Sequence, residues 1–146
     1  EANRVGSYDL FCAEYCGTGH SEMIGKVRAV SDREYQEWLD TDGLGGEDVP
    51  LVELGAKVYT AKACVTCHSI DGRPNIGPSL QGRYNTQQQM DDGTTVTVDE
   101  NYLRESILNP TAKVAQGYQS VMPSYQGLLK DREIDAIIEY IKSLHE

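Results

Sequence analysis

The apolar positions change period along the chain. Up to residue 30 the spacing is close to two. Lys26-Val27-Arg28-Ala29-Val30 alternates basic and apolar side chains, the pattern of a strand with one buried face, and residues 4–30 read as β-structure around a loop. From residue 31 the period becomes helical. Ser31-Asp32-Arg33-Glu34 has the spacing of a capping box, and Val30 with Tyr35 that of a hydrophobic staple. Tyr35, Trp38 and Leu39 fall at i, i+3 and i+4, so one helix face is expected to pack inward.

Periodicity then lapses over 40–50, which holds three Gly, four acids, no base and a closing Pro50. This predicts a flexible, solvated linker and a domain boundary. Three helical patterns follow. The first covers about 51–64, with Leu51, Leu54, Val58 and Tyr59 inward. The second covers about 99–108, with Tyr102, Leu103 and Ile107 on one face and Asn109-Pro110 as the stop. The third covers about 131–144, where Ile134, Ile137, Ile138 and Ile141 form a core stripe opposite Asp131, Asp135, Glu139 and Lys142. Residues 71–98 are polar, lack strong periodicity and contain the loop signature Gly77-Pro78-Ser79-Leu80-Gln81-Gly82. A segment this long normally needs something to wrap around.

Composition sharpens that point. With one Phe, one Trp and nine Tyr among 146 residues, the core is thin for its length. A net charge of −10 excludes a nucleic-acid binder, which needs a basic stripe, and argues against docking on an anionic membrane surface. No apolar run approaches the ~18 residues of a membrane-spanning helix. Glu1-Ala2-Asn3-Arg4 lacks the layout of a signal peptide and reads as a cut inside a longer protein.

The four Cys fall in two close pairs, each followed by one of the three His. Clustered Cys and His point to metal or cofactor chemistry rather than to two disulfides. Cys64-Val65-Thr66-Cys67-His68 is C-x-x-C-H, the attachment pattern of a c-type haem: two thiols bond the haem and the adjacent His68 ligates its iron. A redox dithiol would need a βαβ context, and half a zinc site would need a second Cys/His pair after residue 68. Neither is present. A low-spin carrier also needs a sixth ligand, most often Met. Met122, next to the stiff Pro123, is favoured by position over Met90 in its polar, turn-rich loop, with His145 as a fallback. The first cluster is Cys12-Ala13-Glu14-Tyr15-Cys16-Gly17-Thr18-Gly19-His20-Ser21-Glu22-Met23. Thiolate, imidazole and thioether together suit copper, and Gly17 and Gly19 allow a tight loop. A surface disulfide would leave His20 and Met23 unexplained.

Residues 51–146 resemble a class I cytochrome c domain through Gly55, Tyr59, the C-x-x-C-H motif, Gly77-Pro78-Ser79-Leu80, Met122-Pro123 and Tyr140. The resemblance implies a mainly α fold of three main helices around one covalent haem c. It also implies Gly55 against the Tyr140 side of the last helix, and the Pro78 carbonyl orienting His68. Residues 1–39 resemble the end of the cupredoxin-like copper A domain of cytochrome c oxidase subunit II. That implies a β fragment in which Cys12, the carbonyl of Glu14, Cys16, His20 and Met23 are ligands of a binuclear copper A centre, whose other His lies upstream in the family. In this order, joined by the linker 40–50, the parts resemble the C-terminal part of subunit II of caa-type oxidases.

The function implied is an electron relay without bond-making catalysis. Electrons enter at a His68/Met122 haem and pass to copper A for oxygen reduction. The implied partners are the oxidase catalytic subunit I and a donor such as a soluble cytochrome c, an iron–sulfur protein or a quinol-oxidising complex. The implied location is the outer face of a bacterial cytoplasmic membrane, with the full-length protein anchored there. Two alternatives stay open: the electron-transfer subunit of a nitric oxide or nitrous oxide reductase with fused haem c, and a stand-alone soluble cytochrome c.

Overall fold

The structure, a computed structural model, describes residues 3–14, 16–41 and 43–145. Tyr15 of the first cysteine loop and Asp42 of the expected linker lie outside the described residues, as do residues 1, 2 and 146. The chain divides into two compact units, Glu1–Gly46 and Glu47–Glu146.

In the first unit, β1 (Gly6–Phe11) pairs antiparallel with β2 (Ile24–Ala29), Gly6 opposite Ala29 and Phe11 opposite Ile24. A cross-strand ion pair joins Lys26 to Asp9 at 2.5 Å. Helix α1 (Asp32–Thr41) follows, and the capping box forms. Ser31 N donates to Glu34 Oε2 at 2.9 Å, and Glu34 N donates to Ser31 Oγ at 3.3 Å. The Ser31 main-chain N–H and hydroxyl, both donating to Glu34 Oε2, hold the Glu34 carboxyl below the usual carboxylate range.

The expected buried faces are absent. Val27, Tyr35, Trp38 and Leu39 are 49%, 50%, 53% and 43% exposed. Two strands and one helix are too few to enclose an apolar layer, and Tyr35 instead stacks on Trp38 with ring centroids 6.1 Å apart.

The second unit contains α2 (Leu51–Ala61), a small hairpin of β3 (Gln87–Gln89) and β4 (Thr95–Thr97), α3 (Glu100–Leu108) and α4 (Asp131–Ser143). Its core is the crossing of α2 with α4. Leu54, Val58 and Tyr59 are buried, and so are Ile134, Ile137, Ile138 and Ile141. The crossing is close because α2 has Gly55 there: a Cβ on it would lie 2.1 Å from the Ala136 carbonyl oxygen and 2.6 Å from Tyr140 Cβ. Leu51, expected inward, is 36% exposed, since it sits in the first helical turn, where the chain enters α2.

Helix ends are satisfied locally. Asp99 Oδ1 accepts from Tyr102 N at 2.8 Å, and Lys130 N donates to Glu133 Oε2 at 2.7 Å. Glu133 is buried and its charge is met by Lys62 at 3.7 Å. Lys142 ties α3 to α4. It pairs with Glu100 and with Glu139 and lies 5.2 Å above the Tyr84 ring.

Residues 71–98 are largely irregular, as their pattern predicts, but they contain the hairpin, which it does not predict. The hairpin is anchored by Met90, which bridges to Ala115 and is 1% exposed.

Candidate functional site

Helix α2 leads directly into the second cysteine cluster. Ala63 takes a left-handed conformation (φ 60°), and a 3₁₀ turn, Cys64–Thr66, follows. This reversal brings Cys64, Cys67 and His68 to one cavity of ≈ 390 Å³, which Pro78, Met122, Tyr125 and Ile137 also line. Its size falls in the range of cofactor pockets.

His68 is held from two directions. Its Nδ1 lies 2.8 Å from the Pro78 carbonyl oxygen, and Tyr59 Oη donates to its main-chain carbonyl at 2.5 Å. A carbonyl only accepts, so Nδ1 carries the proton and the lone pair is on Nε2. The loop bearing Pro78 is laced to the loop bearing His68: Gly77 N donates to the Cys67 carbonyl at 2.9 Å, and Leu80 N to the Ser69 carbonyl at 2.8 Å. Buried Ser79 Oγ accepts from Gly72 N at 3.1 Å and donates to the Ser69 carbonyl at 3.3 Å. Position 77 requires glycine here, since a Cβ would meet His68 Cε1 at 2.6 Å.

Burial pushes the Cys64 thiol up, and a hydrogen bond with Tyr125 opposes this. Tyr125 Oη also donates to the Lys62 carbonyl at 2.9 Å, fixing the turn from the far side. The donor set fits a haem c: two adjacent thiols, an imidazole with one nitrogen committed, and a thioether, in a cavity whose walls are otherwise mainly apolar and aromatic.

The rival methionine is elsewhere: Met90 is in the core under the hairpin, and neither it nor His145 lines the cavity. Arg83 and Tyr125 do line it, and the spacing of sequence motifs points to neither. Arg83 donates to Gln88 Oε1 of the hairpin. The bond from Tyr125 spans 63 residues of chain, beyond the reach of any local pattern.

The first cluster also converges. Cys12 Sγ and Cys16 Sγ are 3.4 Å apart. Cys16 Sγ is 3.5 Å from His20 Nδ1 and 3.0 Å from Met23 Sδ. Cys12 Sγ donates to the Glu14 carbonyl at 3.2 Å. Ligand atoms of Cys12, Cys16 and His20 lie within 4.8 Å of one another. The loop closes this tightly because Gly17 (φ 123°) and Gly19 (φ 84°) take backbone angles that other residues rarely adopt. The hydrogen bond with Cys12 pushes the Cys16 thiol up. Two sulfurs, an imidazole and a thioether in one place fit a soft, copper-type site.

Known proteins give a consistent picture. Cytochrome c oxidase subunit 2 of Alkalihalophilus pseudofirmus is 29% identical over 99% of this chain and 41% of its own length. The same subunit of Bacillus subtilis is 25% identical over 93% of the chain and 40% of its own length. The chain thus spans about two fifths of these relatives. Cytochrome c2 iso-1 of Magnetospirillum fulvum is 31% identical over 56% of the chain and 90% of its own length. Among solved structures, cytochrome cH from Methylobacterium extorquens aligns with a TM-score of 0.44 and 24% identity, covering 61% of this chain and 94% of its own. The three-helix architecture of α2, α3 and α4 is the one expected from sequence. The family model for cytochrome c matches residues 52–145, nearly the whole of the helical unit, and this chain belongs to that family.

Proposed function

We propose that this chain is the electron-transfer part of a bacterial haem–copper terminal oxidase subunit II. It accepts electrons at a His68/Met122 haem c and hands them to a copper A centre. The observation that carries the reading is the convergence of Cys64, Cys67, His68 and Met122 on one cavity. The other cluster, built from Cys12, Glu14, Cys16, His20 and Met23, supports the oxidase assignment over a stand-alone carrier. So does similarity to oxidase subunits over nearly the whole chain.

When bound, a haem supplies one-electron chemistry at its iron. The chain's own residues do the rest. Cys64 and Cys67 anchor the group covalently. Pro78 holds the imidazole of His68 in one tautomer and one orientation, which raises the basicity of Nε2. Met122 offers a thioether, a ligand that favours a high potential. The apolar walls exclude water. In the first unit Cys12, Cys16, His20, Met23 and the Glu14 carbonyl would hold copper, together with the histidine that lies upstream in the family they resemble. Thioether attachment is made outside the cytoplasm, which puts the protein on the outer face of the membrane, beside the catalytic subunit and its donor. Among the described residues no helix is long and apolar enough to cross a membrane.

The test is a reduced-minus-oxidised visible spectrum with iron and copper counts, on the parent chain and on Met122→Ala. A low-spin haem c that loses its thioether signature in the variant is the expected result. A variant with unchanged spectrum and potential would refute the assignment of Met122 as a ligand.

A further inference from the structure

In the stretch from Gln119 to Leu128, Met122 and Tyr125 are half-buried and their neighbours are exposed. Both line the cavity that receives Cys64, Cys67 and His68. The loop folds on itself before Met122 and is tied to its surroundings after it. Before it, Tyr118 N donates to the Ala115 carbonyl at 3.1 Å and Val121 N to the Gln119 carbonyl at 2.9 Å. Pro123 has no N–H to give. After it, Ser124 Oγ donates to the Leu108 carbonyl at 2.6 Å and Tyr125 N to the Ile107 carbonyl at 3.1 Å, both at the end of α3.

The Tyr125 hydroxyl reaches further. It donates at 2.9 Å to the carbonyl of Lys62, the residue that caps α2 just ahead of Cys64. Carbonyls at a helix end have no partner within the helix, and this bond supplies one. The same hydroxyl meets the Cys64 thiol. Tyr59 grips the other end of the motif, at the His68 carbonyl, but it belongs to the helix that leads into the motif. Tyr125 belongs to the Met122 loop. Its hydroxyl is therefore a direct bond between the loop that carries the thioether and the turn that carries the thiols. Without it, the bonds of Ser124 and of Tyr125 N would still hold the loop to α3, but the tie to the Cys64 turn would be gone.

We propose that Tyr125 is a positioning residue for Met122: its hydroxyl, seated on the Lys62 carbonyl, keeps the thioether in the cavity and so governs how well Met122 holds the sixth position at the iron against competing ligands. This rests on the haem-bearing reading above, in which Met122 is a ligand, and adds to it the group that keeps that ligand in place. A tyrosine that merely stabilised the fold would lower Tm when truncated and leave the competition unchanged.

The experiment is an equilibrium titration of the oxidised, haem-loaded chain with imidazole, followed by the loss of the thioether-to-iron charge-transfer band. Tyr125→Phe keeps the ring in the cavity and removes the hydroxyl. It is expected to take up haem as the parent does and to lower the imidazole concentration at the midpoint about fivefold, the equilibrium equivalent of one net hydrogen bond. Two controls accompany it. Ser124→Ala removes the neighbouring bond to Leu108, and Ile138→Val thins the core at a buried position that does not line the cavity. Both are expected to lower Tm and to leave the midpoint within about twofold of the parent's, because neither touches the bond to Lys62.

The proposal is overturned by a Tyr125→Phe midpoint equal to the parent's, or by either control shifting the midpoint as far as Tyr125→Phe does. A Tyr125→Phe chain that takes up no haem overturns it too, since the hydroxyl would then serve folding and not the ligand. A parent chain without low-spin haem, or without the thioether band, sinks the functional reading together with this proposal. A parent with the band and a variant with an unmoved midpoint sink the proposal alone.

Discussion

Gly55→Ala sets two physical effects of opposite sign against each other. An alanine in a helix interior is better than glycine by about 1 kcal/mol, so propensity alone predicts a more stable protein. The α2–α4 crossing predicts the reverse. The new Cβ would lie 2.1 Å from the Ala136 carbonyl oxygen and 2.7 Å from its carbonyl carbon. A carbon resting against an oxygen needs about 3.3 Å, so α4 must withdraw by roughly 1 Å. The atoms met are backbone and Cβ atoms, which no rotamer change can move aside.

Overpacking costs about 1–3 kcal/mol, and with rigid atoms on both sides the upper end applies. The withdrawal also loosens Leu54 and Val58 against Ile134, Ile137 and Ile141, and a gap of up to 1 Å forfeits roughly a quarter to a half of each contact's dispersion well. Subtracting the propensity gain leaves a loss of about 2 kcal/mol, or a fall in Tm on the order of 10 °C for a domain of this size. Thermal unfolding followed by far-UV circular dichroism, with parent and variant in the same haem-loading state, measures it. A Tm equal to or above the parent's would refute the reasoning, because it would mean that propensity, not the crossing, governs position 55.

Other expectations follow from the same structure. Met90→Ala should destabilise the helical unit by about 2–5 kcal/mol in a urea titration and leave the haem spectrum unchanged, because this side chain is in the core and not in the cavity; a changed spectrum would put it in the site. Gly77→Ala, whose Cβ would meet His68 Cε1 at 2.6 Å, should displace the imidazole from the Pro78 carbonyl and reduce the low-spin fraction seen in the visible spectrum. The Lys142 ammonium is held well above its ordinary pKa by Glu100 and Glu139. Its contribution to stability is therefore fully present below the unfolded lysine pKa of about 10.4 and is lost as pH rises through the higher folded value. Lys142→Met should lower Tm at neutral pH, by a margin that narrows in high salt and vanishes at strongly alkaline pH; a margin constant in both would show that the ion pairs contribute nothing. Addition of copper should give thiolate charge-transfer bands that Cys16→Ser changes, because one of the two thiolates is lost, and bands identical to the parent's would remove Cys16 from the ligand set.

Features that repeat or cluster locally are the ones legible in the sequence. The Ile134–Ile141 stripe records a helix buried on one side, and C-x-x-C-H records chemistry within five consecutive residues. Strands of three residues such as Gln87–Gln89 show no alternation, so the hairpin is illegible there. Met90 reads as part of a polar loop because its sequence neighbours are polar, although the fold buries it. The apolar stripe of α1 is legible as a stripe, but burial needs a second layer, and the described residues of the first unit supply none. The partner of Tyr125 is hidden in the sequence, since it lies 63 residues away and is reached only after the chain has closed around the cavity.

The double hold on His68 has a consequence for turnover. Tyr59 restrains its backbone carbonyl and Pro78 its ring nitrogen, and the His68 and Pro78 loops are laced together by main-chain hydrogen bonds. An imidazole fixed at both ends has little room to swing or slide when the charge of a bound iron changes by one. A carrier built this way spends little energy rearranging nuclei each time an electron arrives or departs. With the His68 haem proposed above, exchange would be paced by how often partners meet and by the distance between their centres.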